Sequence, residues 1–417
     1  MKKRDNMIVG LDIGTTKVCA IVGELKEGTL DVVGIGRVSP SRGLSKGNII
    51  NIETTVKAIR QAIEEAELMS DYEISSVYTG IAGNHIKSFN SSGVIAIKDR
   101  EVKSNDIKRV VDAAKAMPIP TDKEVIHVIP HEFIIDDQGG IKDPLGMSGV
   151  RLEVKVHIVT ANVSSAMNIV KSCNRSGLTV SDIVLQSIAS SEAVLNQEEK
   201  ELGVVLVDIG GGTTDIAIFY EGSIKYTSVI GLGGEHITKD VSVGLRTPIH
   251  EAEKIKIKYG TALRTNVDKA EMVEVPGIGS RKTRTISKQT LAEIIELRTE
   301  EILSLVDREI AKSGFKEFIS AGVVLTGGSS VLDGMVDLGE QIFNLPVRIG
   351  FPAGIGGLTD VVKDPSYATA VGLVIYGSKH SHVRNYGNRD IEILNRIREF
   401  FANIASKLFI KKGGYDV

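Results

Sequence analysis

Asp208-Ile209-Gly210-Gly211-Gly212-Thr213-Thr214-Asp215 closes an apolar run at residues 203–207 and precedes two more apolar runs at 216–220 and 224–230. The runs are predicted strands, so the motif occupies the tight turn after the first of them. Glycines in such a turn let backbone N–H groups approach a ligand closely. These N–H groups and the Thr hydroxyls can bind phosphate oxygens, and Asp208 can hold Mg²⁺ through water. The stretch therefore predicts a phosphate-binding turn.

A shorter copy of this motif, Asp12-Ile13-Gly14-Thr15-Thr16-Lys17, ends the apolar stretch 7–13 near the N-terminus. Similar elements are predicted after each copy: strands at 18–24 and 30–38 and a helix at 52–68 after the first, and helices at 236–245 and 249–259 after the strands of the second. One such turn could be an ordinary hairpin. Two of them, at matching places in a repeated β-β-β-α plan, predict two similar lobes that face each other across a ligand cleft.

A third loop, Thr326-Gly327-Gly328-Ser329-Ser330-Val331-Leu332, follows a predicted strand at residues 323–325. Gly327 and Gly328 let the backbone pass under a flat group such as adenosine. Ser329 is predicted to be the N-cap of a helix that begins here. A capped strand-to-helix turn that binds nothing explains this loop equally well.

A fourth glycine-rich stretch, Gly231-Leu232-Gly233-Gly234, precedes the helix that carries Glu253 and Lys256. Their i, i+3 spacing places these two side chains on one face of that helix. They are candidates for bonding a ribose and a base, although a solvated ion pair is an equally ordinary explanation.

Composition narrows the function classes. The chain has 417 residues, 42% hydrophobic and 25% charged, which suits two globular lobes. Its net charge of −3 gives no broad basic field for nucleic acid. No apolar run approaches the ~20 residues of a membrane span, and the N-terminal run is too short for a signal peptide. Cys19 and Cys173 lack metal-ligand spacing and are predicted to be structural thiols in a reducing compartment.

Additional sequence lies between the two copies. Elements are predicted there as a strand at 94–97, a helix at 105–114 and strands at 125–133 and 152–159. We therefore predict an inserted α/β subdomain over residues 86–159. A long helix is predicted further on, at residues 293–312.

The C-terminal segment reads as a polar linker at 379–389 and an amphipathic helix at 390–412. At ~100° per residue, the large apolar side chains of this helix gather on one arc, flanked by basic residues. Such a helix can lie in the headgroup layer of an anionic membrane, although docking on the protein's own core is the alternative. The apolar residues are Ile393, Leu394, Ile397, Phe400, Phe401, Ile404 and Leu408, and the flanking basic residues include Arg396 and Lys407.

The three loops, DIGTTK, DIGGGTTD and TGGSS in this order, resemble those of the actin, sugar kinase and heat-shock ATPase superfamily. With the placement of the inserted subdomain and the tail helix, the whole chain is similar to the FtsA family of bacterial cell-division proteins. The resemblance implies an α/β, actin-like, two-lobed fold with duplicated β-β-β-α-β-α-β-α cores.

The resemblance also implies a division into subdomains. The first lobe core (1A) comprises 1–85, 160–197 and 360–378, the inserted subdomain (1C) 86–159, the second lobe core (2A) 198–230 and 305–359, and its outer subdomain (2B) 231–304.

Site residues carry over from the superfamily one by one. Nucleotide contacts are expected from Gly14, Thr15, Thr16, Lys17, Gly210, Gly211, Gly212, Thr213, Thr214, Gly233, Glu253, Lys256, Gly327, Gly328 and Ser329. Asp12 and Asp208 are expected near Mg²⁺. Gln186 stands where superfamily members orient the attacking water, although it could equally cap a strand end. The resemblance implies ATP binding and at most slow ATP hydrolysis.

In the family, the protein polymerises, ties the FtsZ ring to the cytoplasmic face of the membrane at the division site and recruits later division proteins. The acidic C-terminal peptide of FtsZ binds the outer subdomain of the second lobe, where Arg284, Lys288 and Arg298 are candidate contacts or merely solvated surface. Three other readings stay open at this point. A sugar kinase or polyphosphate hydrolase would need a substrate-recognition insert and no lipid-binding tail, an actin-like scaffold of pilus or secretion machinery would usually lack the basic amphipathic tail, and a chaperone would need a substrate-binding domain after the ATPase.

Overall fold

The computed structural model describes residues 6–39, 43–268, 270–279 and 282–381. Its first sheet opens with three antiparallel strands joined by tight turns. The first two are buried almost throughout, as expected for central strands. These strands are β1 (Met7–Ile13), β2 (Val18–Lys26) and β3 (Thr29–Val38).

A long amphipathic helix covers one face of this sheet. Asn51 caps it by accepting a hydrogen bond from the backbone N–H of Thr54 at 3.0 Å. Val56, Ile59 and Ile63 are buried on its inner face, at helical spacing. This region contains β4 (Leu44–Ser45), β5 (Asn48–Ile49), α1 (Ile52–Ser70) and β6 (Ser76–Ile81).

The chain then builds a separate antiparallel sheet with one helix against it. Alternate residues of its central strand β10, among them Leu152, Val154 and Val156, are fully buried in the core of this unit. The elements are β7 (Lys87–Ala96), α2 (Ser104–Lys115), β8 (Lys123–Ile135), β9 (Gln138–Ile141) and β10 (Arg151–Asn162), with the strand order β7-β10-β8-β9. We call this unit the inserted sheet.

The first lobe resumes after the inserted sheet with α3 (Val163–Arg175), β11 (Thr179–Leu185) and α4 (Gln186–Val194), and α5 (Gln197–Leu202) leads out of it. Strands β11 and β6 extend the sheet in parallel beside β1, so the order is β11-β6-β1-β2-β3.

The second lobe repeats this plan. Its strands β14-β13-β12-β17-β18 follow the same spatial order, antiparallel over the first three and parallel over the rest. The duplication expected from sequence, and with it the actin-like α/β fold, is therefore confirmed. The elements are β12 (Val204–Ile209), β13 (Thr214–Tyr220), β14 (Ser223–Ile230), α6 (Gly234–Gly244), α7 (Ile249–Tyr259), β15 (Met272–Val275), β16 (Arg284–Ser287), α8 (Lys288–Ser313), β17 (Val323–Thr326), α9 (Met335–Phe343) and β18 (Val347–Ile349).

The chain returns to the first lobe through β19 (Gly356–Gly357), α10 (Thr359–Val362) and α11 (Ala368–Ser381). Helices α4 and α11 lie between the two main sheets and share one core with them. Gly372 of α11 touches α4 so closely that a Cβ there would lie 1.8 Å from the carbonyl oxygen of Ala189. The prediction of a linker from residue 379 is wrong at its start, because α11 continues to Ser381.

The inserted sheet contacts the outer edges of both main sheets. On the first lobe, the imidazole Nε2 of His127 accepts a hydrogen bond from the backbone N–H of Leu185 in β11 at 3.0 Å. On the second lobe, Ser88 and Asn90 donate to the backbone carbonyls of Thr227 and Lys225 in β14 at 2.8 and 3.3 Å. Side chains of the inserted sheet therefore satisfy part of an exposed strand edge.

Candidate functional site

The two Asp-Ile-Gly turns face each other directly. Each is closed by a backbone hydrogen bond, Gly14 N–H to Lys17 O at 2.8 Å and Gly210 N–H to Thr213 O at 3.0 Å. A Cβ on Gly211 would lie 2.4 Å from Thr16 Cγ2, and one on Gly212 would lie 2.5 Å from Thr15 Oγ1. Because no side chain fits at these two positions, glycine permits the close approach of the two turns.

The third loop attaches to the second turn. The Ser329 hydroxyl donates to Gly210 O at 3.2 Å, and the Ser329 N–H donates to Ile209 O at 3.0 Å. The prediction that Ser329 caps a helix is wrong. Residues 328–331 form turns, and α9 begins only at Met335, after Gly334 in the left-handed region at φ 75°.

The fourth stretch also meets the second turn. The N–H groups of Gly234 and Glu235 donate to the carbonyls of Gly210 and Gly211 at 2.9 and 2.8 Å. A Cβ on Gly233 would lie 2.6 Å from Gly210 O. The start of α6 is thus fixed against the turn.

A pocket of about 350 Å³ opens beside these loops. Gly328, Ser329 and Lys256, three of the predicted nucleotide contacts, line it together with apolar side chains such as Leu332 and Ile237. The Lys256 ammonium lies 2.7 Å from Glu253 and donates to Thr238 Oγ1 at 2.9 Å. The volume of this pocket and its lining of both polar and apolar side chains suit a group of the size of a nucleoside.

Three buried aspartates lie where the turns meet. Asp12 accepts a hydrogen bond from the side-chain amide of Gln186. Asp208 accepts hydrogen bonds from the hydroxyls of Ser190 and Thr369 at 2.5 and 3.1 Å. The third, Asp215, accepts from Thr213 Oγ1 at 2.9 Å, but its Oδ1 is buried without a hydrogen-bond partner.

Burial raises the pKa of all three carboxyl groups. For Asp12, the carboxylate of Asp208 adds to the rise, although Lys17 opposes it. For Asp208, hydrogen bonds from Ser190 and Thr369 offset only part of the effect. Burial and the charge of Asp208 together raise the pKa of Asp215 to about 8. The three aspartates therefore have too little positive charge nearby to stabilise all of their ionised carboxylates.

A cation would relieve this shortage. Mg²⁺ prefers oxygen ligands, keeps several waters and is usually held by one or two carboxylates together with substrate phosphates. In the part of the chain that the structure describes, no three His, Cys, Asp or Glu side chains group as ligands of one metal ion. The residues thus fit a hydrated Mg²⁺ held mainly by phosphates and not a cage built from protein ligands alone.

The Thr hydroxyls of the second turn donate to groups within the protein in this structure. Thr213 donates its proton to Asp215, and Thr214 donates to Leu232 O at 2.9 Å. The backbone N–H groups of this turn can bind phosphate without breaking these two bonds. In the first turn, Thr15 Oγ1 accepts from Gly47 N–H at 3.3 Å and retains its proton.

Gln186 is the first residue of α4, and its Nε2 donates to Asp12 Oδ1 at 3.0 Å. The structure thus brings it to the aspartates, with its carbonyl oxygen as the remaining acceptor.

Each of the predicted partner-binding residues has a contact within the protein. Arg284 donates to Leu245 O, and Lys288 lies 2.9 Å from Glu271 and lines the pocket. Arg298 pairs with Asp240 at 2.5 Å and with Glu301. Ten helical positions, about 15 Å, separate it from Lys288. The predicted membrane-binding residues 393–408 lie outside the described residues.

Sequence reasoning missed Asp215, Ser190, Ser366 and Tyr367. Asp215 had a signal, since it is a second aspartate at the end of the second motif. The other three come from helices and turns without any motif.

Comparison with known proteins gives matches over most of the chain. A family model described as "Cell division protein FtsA" matches residues 205–372, and one described as "SHS2 domain inserted in FTSA" matches residues 83–160. Among curated relatives, the cell division protein FtsA of Pseudomonas aeruginosa is 54% identical over 372 residues, 89% of each chain. That of Escherichia coli is 44% identical over 399 residues, 94% of each chain.

Solved structures share the fold at low identity. A PilM–PilN type IV pilus biogenesis complex matches at a TM-score of 0.66 and 15% identity, over 89% of this chain and 98% of that one. MreB5 of Spiroplasma citri bound to ADP matches at 0.56 and 16% identity, over 92% and 100%. Among the described residues, no helix has the length and apolarity that a membrane span requires.

Proposed function

Because this chain belongs to the FtsA family of cell-division proteins, we propose that it binds ATP, polymerises and anchors the FtsZ ring to the cytoplasmic face of the membrane. It acts at the division site, where it also recruits later division proteins. In this proposal, bound nucleotide controls assembly.

One observation carries the nucleotide part of the proposal. The turns at Thr15–Thr16 and Gly211–Gly212 touch, and the pocket lined by Gly328, Ser329 and Lys256 opens beside them. We place the phosphates alongside the contact between the two turns, and the nucleoside in the pocket. The ADP bound to an MreB protein of the same fold supports nucleotide binding.

The chain's own residues have separable roles in this site. Lys17, 3.6 Å from Asp12, neutralises phosphate charge, and Thr15 donates its free proton to a phosphate oxygen. Asp12 and Asp208 would hold a hydrated Mg²⁺, which would supply positive charge to the phosphate oxygens. Asp12 also fixes the amide of Gln186, so that the Gln186 carbonyl oxygen can orient a water for slow hydrolysis.

The membrane part rests on the amphipathic sequence 390–412. Its apolar arc with Phe400 and Phe401 enters the headgroup layer, and its basic residues meet anionic lipid. One such segment binds reversibly, whereas a polymer that carries many binds firmly through avidity.

The decisive experiment measures ATP affinity by titration calorimetry with Mg²⁺ present. We expect Gly210→Asp to abolish binding, because it places a carboxylate beside the phosphates. The matched control is Gly28→Asp, at a hairpin turn where an added Cβ meets nothing within 4 Å. An Asp at its φ of +85° is strained, so unchanged ATP binding in this control separates backbone strain at a turn from the charge placed beside the phosphates. Unchanged ATP affinity in Gly210→Asp, with the control intact, would remove the two turns from the site.

A further inference from the structure

A short turn before α11 stands between the first phosphate turn and the pocket. Asp364 fixes it by accepting hydrogen bonds from the N–H groups of Ser366, at 2.8 Å, and Tyr367, at 2.9 Å. Ser366 also faces the third loop, since a Cβ on Gly328 would lie 3.4 Å from Ser366 Cβ. Nothing in the sequence marks this turn as functional.

The Lys17 ammonium is enclosed by this turn. It donates to the carbonyl oxygen of Ser366 and lies 3.6 Å from Asp12 Oδ2. It also lies 5.0 Å from the centroid of the Tyr367 ring. Lys17 and Tyr367 are only 8% and 7% exposed, so the cation is held where water cannot replace these contacts.

Arg37 of β3 fixes the aromatic ring in turn. Its guanidinium donates to the Tyr367 hydroxyl at 3.0 Å and lies 5.4 Å from the ring centroid. A solvent-exposed Lys side chain samples many rotamers. Each contact that excludes some of these rotamers helps to fix the position of the ammonium group. The four side chains form a series of contacts, from Arg37 to Tyr367, from Tyr367 to Lys17 and from Lys17 to Asp12.

We propose that Tyr367 is a positioning residue that holds the Lys17 ammonium at the first phosphate turn, and that Arg37 fixes its ring through the hydroxyl. Tyr367 then acts on the phosphates of the nucleotide and not on the nucleoside, which occupies the pocket beside Gly328. This inference rests on the proposed nucleotide site and adds the residues that set its phosphate affinity.

The test compares ATP with adenosine, which carries no phosphate. We expect Tyr367→Leu to weaken ATP binding roughly 5–10-fold, as for loss of a buried cation–aromatic contact, and to change adenosine binding less than twofold. In a Lys17→Met background, Tyr367→Leu adds no further loss of ATP affinity. Equal losses for ATP and adenosine, or a full loss on top of Lys17→Met, would overturn the proposal.

A gentler pair of variants tests the same idea if Tyr367→Leu fails to fold. Tyr367→Phe removes only the hydrogen bond, whereas Arg37→Met removes the hydrogen bond together with the guanidinium–ring contact. We expect each to weaken ATP binding about twofold or slightly more, and the double variant to be no worse than Arg37→Met alone. Additive losses, or unchanged ATP affinity in both singles, would contradict the role of Arg37. Wild-type protein that binds neither ATP nor adenosine would instead refute the nucleotide site itself.

Discussion

The imidazole of His157, in the inserted sheet, lies 3.1 Å from the hydroxyl of Thr227, in the second lobe. Its Nδ1 lies 2.7 Å from Asn90 Oδ1, and Asn90 Nδ2 donates to Lys225 O, which fixes the orientation of the amide. The Asn90 oxygen only accepts, so Nδ1 carries the proton and Nε2 accepts from Thr227. A neutral histidine thus joins two units of the protein.

This contact predicts acid sensitivity. Burial, with His131 and His127 nearby, lowers the pKa of His157 to about 4, against about 6.5 in the unfolded chain. Between these values the unfolded state binds more protons, so the contribution is complete above pH 6.5 and is lost as pH falls toward 4. From pH 7.5 to pH 5, we expect the unfolding free energy of wild type to fall relative to His157→Gln by about 2 kcal/mol.

Denaturant unfolding at the two pH values measures this difference. The exposed His250 supplies the matched control, His250→Gln, for which we expect the wild-type pH profile. A His157→Gln profile parallel to wild type would show that this histidine is not the sensitive group.

Asp215→Asn should make the nucleotide-free protein more stable. The substitution removes a buried charge whose Oδ1 has no partner and keeps an acceptor for Thr213. We expect a gain of about 1–3 kcal/mol at pH 8, together with a smaller rise in Tm on adding Mg-ATP than in wild type. Thermal unfolding with and without Mg-ATP measures both effects, and exposed Asp137→Asn is the control. A variant less stable than wild type would contradict the charge argument.

ATP turnover distinguishes a scaffold from a metabolic kinase. We expect hydrolysis well below the ~10 per second that is typical of enzymes, because the proposed role of the nucleotide is to control assembly. Phosphate release under saturating Mg-ATP gives the rate. Gln186→Ala should lower it further and leave ATP affinity within about twofold, since Gln186 reaches the site through Asp12. Rapid turnover would favour the enzyme reading.

Binding of the FtsZ C-terminal peptide should depend on Arg284. Reversing Arg284 and Lys288 together is less informative, since Lys288 also lines the pocket. We expect Arg284→Glu to weaken binding of an acidic peptide about threefold or more at low salt, and less at high salt. Fluorescence anisotropy of a labelled FtsZ C-terminal peptide measures this, with ATP affinity unchanged. Lys312→Glu, at the end of α8, is the control, and equal peptide binding by both variants would remove Arg284 from the surface.

Membrane attachment should depend on the C-terminal segment. Each large side chain that leaves water contributes at most roughly 1.5–3 kcal/mol, so replacing both Phe400 and Phe401 by Glu should release the protein from anionic liposomes. Leu68 and Met69, an adjacent exposed apolar pair on α1, give the matched double-Glu control. Co-pelleting of monomeric protein measures the effect. If the Phe400→Glu/Phe401→Glu variant still pelleted completely with the liposomes, another surface of the protein would bind the membrane.

The sequence could predict the meeting of the turns because a duplicated plan puts equivalent strand ends at one cleft. It could not predict Tyr367, because its neighbour Ser366 meets Lys17 across 349 residues of chain and no motif marks the turn. Tertiary contacts also explain why one secondary-structure element differs from the prediction. Gly377, two residues before the linker expected from residue 379, lies inside α11, where a Cβ would come within 2.8 Å of the Tyr78 ring. Glycine there permits close helix–sheet packing and does not end the helix.

At Gly372 the two helices between the sheets, α4 and α11, touch backbone to backbone. Both helices belong to the first lobe, and they share one core with the two main sheets. Sliding one helix along the other would drive the Ala189 carbonyl into the side chains that flank Gly372, so the contact fixes the register of the pair. A larger side chain at position 372 would force α11 away from α4 and separate the layers that meet there.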